Sequence, residues 1–289
     1  MIERRANGSG KVVRNGLAGA LILAAALVGA PAAMANTTRS TNWAGYAIHR
    51  AGVSFSQVSA TWIQPDATCA PGQPSYSAVW VGLGGYKLTS DALEQTGTEV
   101  DCSAAGKVVS SAWFELVPAP SKTIALRVNP GDVMHATVTV TGHTVVFTLN
   151  DETSHRRFHK TLDAPSIDVS SAEWIVEAPS ECLGQYACEA LPLADFGSVP
   201  FDSASATTSD GTSGSIADPY WGRTTIDLIA STQRMLVARS ATGVLGTAAP
   251  SPLTGGGRSF DVTYAPVPAS GNQSFARRLA RLSAGYIEH

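Results

Sequence analysis

The sequence predicts an all-β fold, an antiparallel β-sandwich or barrel. Three observations carry this. Short runs rich in Val, Ile, Thr and aromatic residues recur along the chain. Turn formers such as Asn129-Pro130-Gly131-Asp132, Thr141-Gly142-His143 and Asn150-Asp151 separate them. Little between residues 36 and 265 repeats at helical spacing.

The first segment stands apart. Residues 1–35 have a basic start (Arg4, Arg5, Lys11, Arg14), an apolar run from Leu17 to Val28 and a small-residue end at Ala33-Met34-Ala35. That pattern is expected of a secretory signal peptide cut after Ala35, and implies a secreted, extracellular protein. No later stretch is apolar for long enough to span a membrane. The remaining chain carries 16 basic and 22 acidic residues. Such a mildly acidic surface does not fit a nucleic-acid partner.

Strand-like runs follow in order. They are FSQVSATWIQP (55–65), YSAVWVGLGG (76–85), ALEQTGTEVD (92–101), VVSSAWFELVP (108–118), TIALRVNPGD (123–132) and VMHATVTVTGHTVVFTLND (133–151). After them come HRRFHKTLD (155–163) and SAEWIVEAP (171–179). Residues 202–218, rich in Ser, Thr and Gly, read as a loop. Further strands are expected at 224–230, 234–240 and 258–266. In the last segment, 266–289, Phe275, Leu279, Leu282 and Tyr286 fall at helical spacing, which suits a short terminal helix or a tail. The domain expectation is thus a signal peptide (1–35), a sandwich (36–265) and a C-terminal tail.

The four cysteines sit in the exported part, where an even count suggests two disulfides. Four cysteines allow three pairings. Cys182 and Cys188 enclose a short loop and are expected to pair, leaving Cys69 with Cys102. No histidine spacing near them suggests a metal site. His155 and His159 fit an exposed polar hairpin face better than a metal pair.

Familiar nucleophile, zinc and phosphate motifs are absent. The chemistry instead shows in which residues share strand faces, because strand side chains alternate. Glu173, Ile175 and Glu177 share a face, with Trp174 and Val176 on the other. Trp80 shares one with Tyr76 and Ala78, Trp113 with Glu115, and Gln95 with Gly97. Several strands therefore offer acids, an amide and exposed tryptophans opposite an apolar reverse side, as a binding cleft would.

Seven segments in this order carry a resemblance: TNWAGY (41–46), AVWVGLGG (78–85), ALEQTG (92–97), AWFELVP (112–118), NPGD (129–132), AEWIVEAP (172–179) and LPLADFGSVPF (191–201). Over residues 40 to 265 the chain resembles the glutamic peptidases, or eqolisins. The resemblance implies a sandwich of two large antiparallel sheets, lectin-like (a concanavalin-like jelly roll). It also implies a secreted acid endopeptidase acting on polypeptides through a glutamine and a glutamate. The glutamine falls on Gln95 and the glutamate on Glu177. Trp43, Trp80, Trp113 and Glu115 fall on cleft positions for substrate, and the motif's asparagine on Asn42. No cofactor or metal is implied, and a monomer is expected.

In this reading Glu177 deprotonates a water while Gln95 orients it and holds the oxyanion. An unperturbed glutamate, with a pKa of about 4.3, would place such a base in acid. Only six residues, Asn36 to Thr41, lie between the expected signal cut and NWAGY, whereas fungal members carry a propeptide; either no zymogen is needed or activity is controlled otherwise. Glu173 reads as a cleft residue or a surface acid. Two rivals remain: a lectin-fold glycoside hydrolase using the Glu173/Glu177 pair, and a secreted binding module without catalysis.

Overall fold

Alternation along the strands decides which residues face inward, and the ladder pairing then decides which of them meet. The structure, a computed structural model, describes residues 35–87, 89–183, 187–230 and 246–267. Residues 1–34, the strand expected at 234–240 and the C-terminal helix expected over 275–286 lie outside the described residues.

A single ladder path doubles back into two facing sheets. The first sheet runs β10 (Arg156–Asp163), β9 (Thr144–Asp151), β8 (Val133–Thr141), β3 (Phe55–Ile63), β14 (Ser198–Thr208), β18 (Phe260–Pro266) and β17 (Gly246–Pro250). The second runs β16 (Gly222–Leu228), β2 (Trp43–His49), β11 (Ser171–Glu177), β4 (Ala78–Gly84), β5 (Leu93–Cys102), β6 (Val108–Val117) and β7 (Lys122–Ile124). One bridge, Leu228 to Ala248, joins β16 to β17. The other two ends of the path, β10 and β7, are not paired with each other. β1 (Ala35–Ser40) lies parallel on β16, and β15 (Ser213–Gly214) pairs with β14. β12 (Ser180–Leu183) and β13 (Ala187–Ala190) form a separate hairpin. The all-β antiparallel sandwich is as the sequence predicts, curled nearly into a barrel.

The sheets are held by apolar side chains that alternate inward. β8 and β9 bury every second residue, among them Met134, Ala136, Val138, Phe147 and Leu149. Across the gap, Phe114 of β6 packs on Phe147 with ring centroids 5.3 Å apart. Two indoles also stitch the layers. Trp62 of β3 donates to Thr98 Oγ1 in the other sheet at 3.0 Å, and Trp174 of β11 donates to the Ser59 carbonyl at 2.9 Å. A buried indole N–H without a partner would cost roughly 1–3 kcal/mol.

Three expectations need correction. Residues 202–208 are not loop: β14 runs through them, burying Ala204, Ala206 and Thr208 against β3. Small side chains suit that close approach, so tertiary packing overrides the local turn signal. A register shift between Asp202 and Ser205, with Ser203 at φ 55°, lets the strand bend there. Conversely, TIALRVNPGD is strand only over β7. Residues beyond it cross from the second sheet to the first, keeping Leu126 and Val128 buried without a ladder. His155 sits in the turn before β10 at φ 58°, so it does not share a strand face with His159.

Cys69 and Cys102 form a disulfide, as expected, with Cα atoms 5.3 Å apart. The β12–β13 register sets Cys182 opposite Cys188, although the side chains of 182–189 fall outside the described residues. Directly opposed residues in an antiparallel pair have Cα atoms about 4.5–5.5 Å apart, within disulfide range. Peptide mapping without reduction should therefore recover a Cys182–Cys188 peptide beside the Cys69–Cys102 peptide. Free thiol at either hairpin position would reject the second bridge.

Candidate active site

The middle of the second sheet is buried on both faces. All seven residues of β4 are buried, and so are the first six of β11. Inward, Val79, Val81, Trp174 and Val176 join the main core. Outward, Ala47, Ala78, Trp80, Leu93, Trp113, Ile175 and Ile226 form a second, smaller cluster. The face assignments made from alternation hold at Ala78, Val79, Trp80, Val81, Trp113, Trp174, Ile175 and Val176. The tryptophans expected to be exposed are not: Trp80 is 0% and Trp113 5% accessible. Both rings are covered by their neighbours in the second cluster, with Trp43, Tyr86 and Val117 packed against it.

Glycine makes room for Trp80. A Cβ on Gly97 would lie 2.1 Å from the Val79 carbonyl oxygen and 2.7 Å from the Trp80 Cβ. A side chain there would drive β4 away. This explains the spacing of the Gln-Thr-Gly segment. Gln95 faces the cleft, Thr96 turns inward and donates to the Trp113 carbonyl at 2.7 Å, and Gly97 lets the β4 backbone at Val79 and Trp80 approach.

Trp80 donates from Nε1 to Glu177 Oε2 at 2.8 Å. Asn42 donates from Nδ2 to Glu177 Oε1 at 3.1 Å. Asn42 is fixed in turn, its Oδ1 accepting from Ser40 Oγ at 3.0 Å. Trp43 packs edge-on against Trp80 with centroids 5.0 Å apart. Glu177 thus has both oxygens held while its residue remains partly exposed at the end of β11. Burial pushes its carboxyl up to about 7, with the neighbouring Glu115 charge adding to the push and the Trp80 and Asn42 hydrogen bonds opposing it. The sequence pointed to Glu177, Trp80 and Trp43. Asn42 was visible only as part of a motif, because nothing local says that it reaches a strand 135 residues away.

Gln95 is 5% accessible and donates from Nε2 to Glu115 Oε2 at 2.6 Å. Its Oε1 has no partner, and neither does the buried Trp113 Nε1. Burial also raises the Glu115 carboxyl, opposed by the Gln95 hydrogen bond. By register, Gln95 lies level with Gly82 and Glu173, four residues along the sheet from the level of Glu177. In a flat sheet the Glu115 and Glu177 Cα atoms would be roughly 19 Å apart, three strands across and four residues along. The Glu115 charge nevertheless acts on Glu177 across this face, adding to the rise of its carboxyl.

Glu173 departs from both sequence readings. It is 0% accessible, with neither carboxyl oxygen hydrogen-bonded. The hydroxyl of Ser171, two residues away on the same face, is also without a partner. Burial raises the Glu173 carboxyl well above its usual range. A carboxyl enclosed in this way is neither a surface acid nor half of an open pair flanking a sugar, and the glycosidase reading loses its second acid.

Comparison with known proteins agrees with this geometry. A model of the Peptidase A4 family matches residues 41–245. Scytalidopepsin B of Scytalidium lignicola is 30% identical over 204 residues, 68% of this chain and 75% of that protein. A crystal structure of scytalido-glutamic peptidase with a peptide-based transition-state analogue superposes with a TM-score of 0.62 at 26% identity, covering 78% of this chain and 99% of that one. Aspergilloglutamic peptidase from Aspergillus niger superposes at 0.50, also 26% identical, covering 66% of this chain and 99% of that one.

The buried carboxyls also govern stability against pH. Burial pushes Glu94 up to about 8 and Asp101 up to about 7. Glu94 is 1% accessible, with Oε2 unpartnered. Folded-state values above the unfolded ones mean that the folded chain holds more protons than the unfolded chain between them. Stability is then complete below about pH 4.5 and falls as pH rises toward about 8. Each fully coupled carboxyl adds a slope of up to about 1.4 kcal/mol per pH unit inside its window. The melting temperature is expected to fall between pH 4.5 and 8. Glu94→Gln and Glu173→Gln should each flatten that fall and melt above wild type at pH 8. A wild-type melting temperature that is level or rising over the range would overturn this account.

Proposed function

Because the chain belongs to the Peptidase A4 family and is a glutamic peptidase, we propose that Glu177 and Gln95 are its catalytic pair and that polypeptides are cut along the outer face of the second sheet. The observation that carries this is Glu177 itself: a partly exposed carboxyl, gripped at both oxygens by Trp80 and Asn42.

The steps follow from the atoms available. Ionised Glu177 takes a proton from a water, and the water oxygen attacks the scissile carbonyl carbon. The carbonyl π pair moves onto oxygen, where the second Nε2 hydrogen of Gln95 can donate to it. Gln95 Oε1, free of partners, accepts from the attacking water. Glu177 then passes its proton to the amide nitrogen as the C–N bond breaks. Glu115 acts as a positioning residue: by accepting from Nε2 it fixes which end of the Gln95 amide faces the water. Trp80, being buried, positions Glu177 rather than touching substrate, whereas Trp43 is accessible to a bound peptide. The orphaned Trp113 N–H suits a substrate carbonyl.

Secretion is proposed with this activity. The disulfide between Cys69 and Cys102 suits an oxidising compartment, and residues 1–35 have the pattern of an export signal.

A protein-cleavage assay from pH 2 to 7 tests the pair. Glu177→Gln should lose activity to background, and Gln95→Ala should lower kcat by about 10²–10³ with a smaller effect on KM. Full activity in Glu177→Gln would end the proposal. The pH profile tests the protonation state. A base whose value is pushed up to about 7 is ionised only as pH rises, so kcat/KM should climb from acid toward that value. A rate that instead climbs as pH falls below 5 would assign the protonated form of Glu177 to the start of the cycle.

A further inference from the structure

The unjoined side of the sandwich holds a second site. β10 and β7 are the two open ends of the ladder path, and each carries an exposed lysine that leaves its strand on the core side. Lys160 stands opposite the buried Phe147, and Lys122 opposite the buried Phe114. Directly opposed residues share a face, so both lysines start on the core side of their strands. Between them Phe114 stacks on Phe158 with centroids 5.7 Å apart and planes 19° apart. Over this stack opens a cavity of about 510 Å³, within the size range of small-molecule sites. Its apolar lining continues to Ile124, Leu126 and Leu162, and Arg157 adds a third cation at its mouth.

A lysine on an edge strand has an ordinary purpose, since it discourages pairing with another chain. That accounts for one lysine on each edge. It does not account for an apolar cavity between them, nor for three cations gathered on a chain whose net charge is −3. The chain's own undescribed segments do not complement the charge. Residues 231–245 carry Arg234 and Arg239 with no acid, and residues 268–289 carry three arginines against Glu288 alone. Residues 1–34 hold four basic residues and Glu3.

We propose that this open edge binds a single-chain anionic amphiphile, a fatty-acid carboxylate, with its head between Lys122, Lys160 and Arg157 and its tail on the Phe114–Phe158 floor. The head relieves repulsion between cations held on facing edges, and the tail covers apolar surface that no strand covers. The site is separate from the proposed catalytic pair and does not depend on it.

Calorimetric titration of the folded protein with decanoate at pH 6 tests this, with 1-decanol, acetate and a hexaglutamate peptide as comparison probes. Decanoate should bind with a Kd of roughly 10–100 μM, as ligand efficiency allows for a molecule of this size. The Lys122→Gln/Lys160→Gln pair should weaken it at least tenfold, and Lys122→Arg/Lys160→Arg should restore it. Decanol should bind at least tenfold more weakly, and acetate should give no heat at millimolar concentration. The inference fails if decanoate gives no heat at 1 mM or if the glutamine pair binds it as tightly as wild type. Equal binding of decanol would likewise defeat it by removing the role of charge. Hexaglutamate binding without decanoate binding would replace the ligand class with an acidic peptide.

Discussion

The site depends on β4 and β11 being covered on both faces. A strand in the middle of an antiparallel sheet usually turns one face to water. Here the inner face meets the core and the outer face meets a layer of tryptophan, leucine and isoleucine. That second layer packs closely because Gly97 lets the β4 backbone approach and Gly82 leaves space beside the Trp80 ring. Once Trp80 is buried its N–H must be satisfied, and Glu177 satisfies it. The same burial raises the carboxyl that receives the bond. Placement and basicity of Glu177 are therefore consequences of one packing arrangement.

Much of this was legible beforehand. Alternation alone set Glu177 and Ile175 against Trp174 and Val176, and the ordered motifs singled out Gln95 and Glu177. What could not be read depends on distant partners. Trp80 and Trp113 share faces with polar residues, so the pattern made them exposed, whereas side chains from neighbouring strands cover them. Glu173 carries the same local signal as Glu177, two positions either side of Ile175. Only the register, which places Ala47 and Gly82 beside it, shows one acid enclosed and the other at a cleft. β14 was missed because its alternating alanines and serines carry no apolar weight until β3 lies against them.

The carboxyls divide into two groups with opposed preferences. At Glu94 and Glu173 burial outweighs the few groups that would stabilise their charge, and they favour acid. Glu177, read as a base, needs its charge and gains it only toward neutrality. The conditions that hold the fold most firmly are thus not those that most favour the base. Their overlap lies in weak acid, nearer neutrality than an unperturbed glutamate would suggest.

The order in which the chain becomes available sets when the site can exist. Asn42, Trp80 and Glu177 come from separate stretches, and β2 also borders β16 near residue 225. β3 borders β14, whose own neighbour β18 ends at Pro266. Closing contacts across such separations is slow relative to local pairing. A partly synthesised or partly folded chain lacks one or more walls of the cleft. If Glu177 is the base, a chain whose distant strands have not yet paired lacks the groups that hold it.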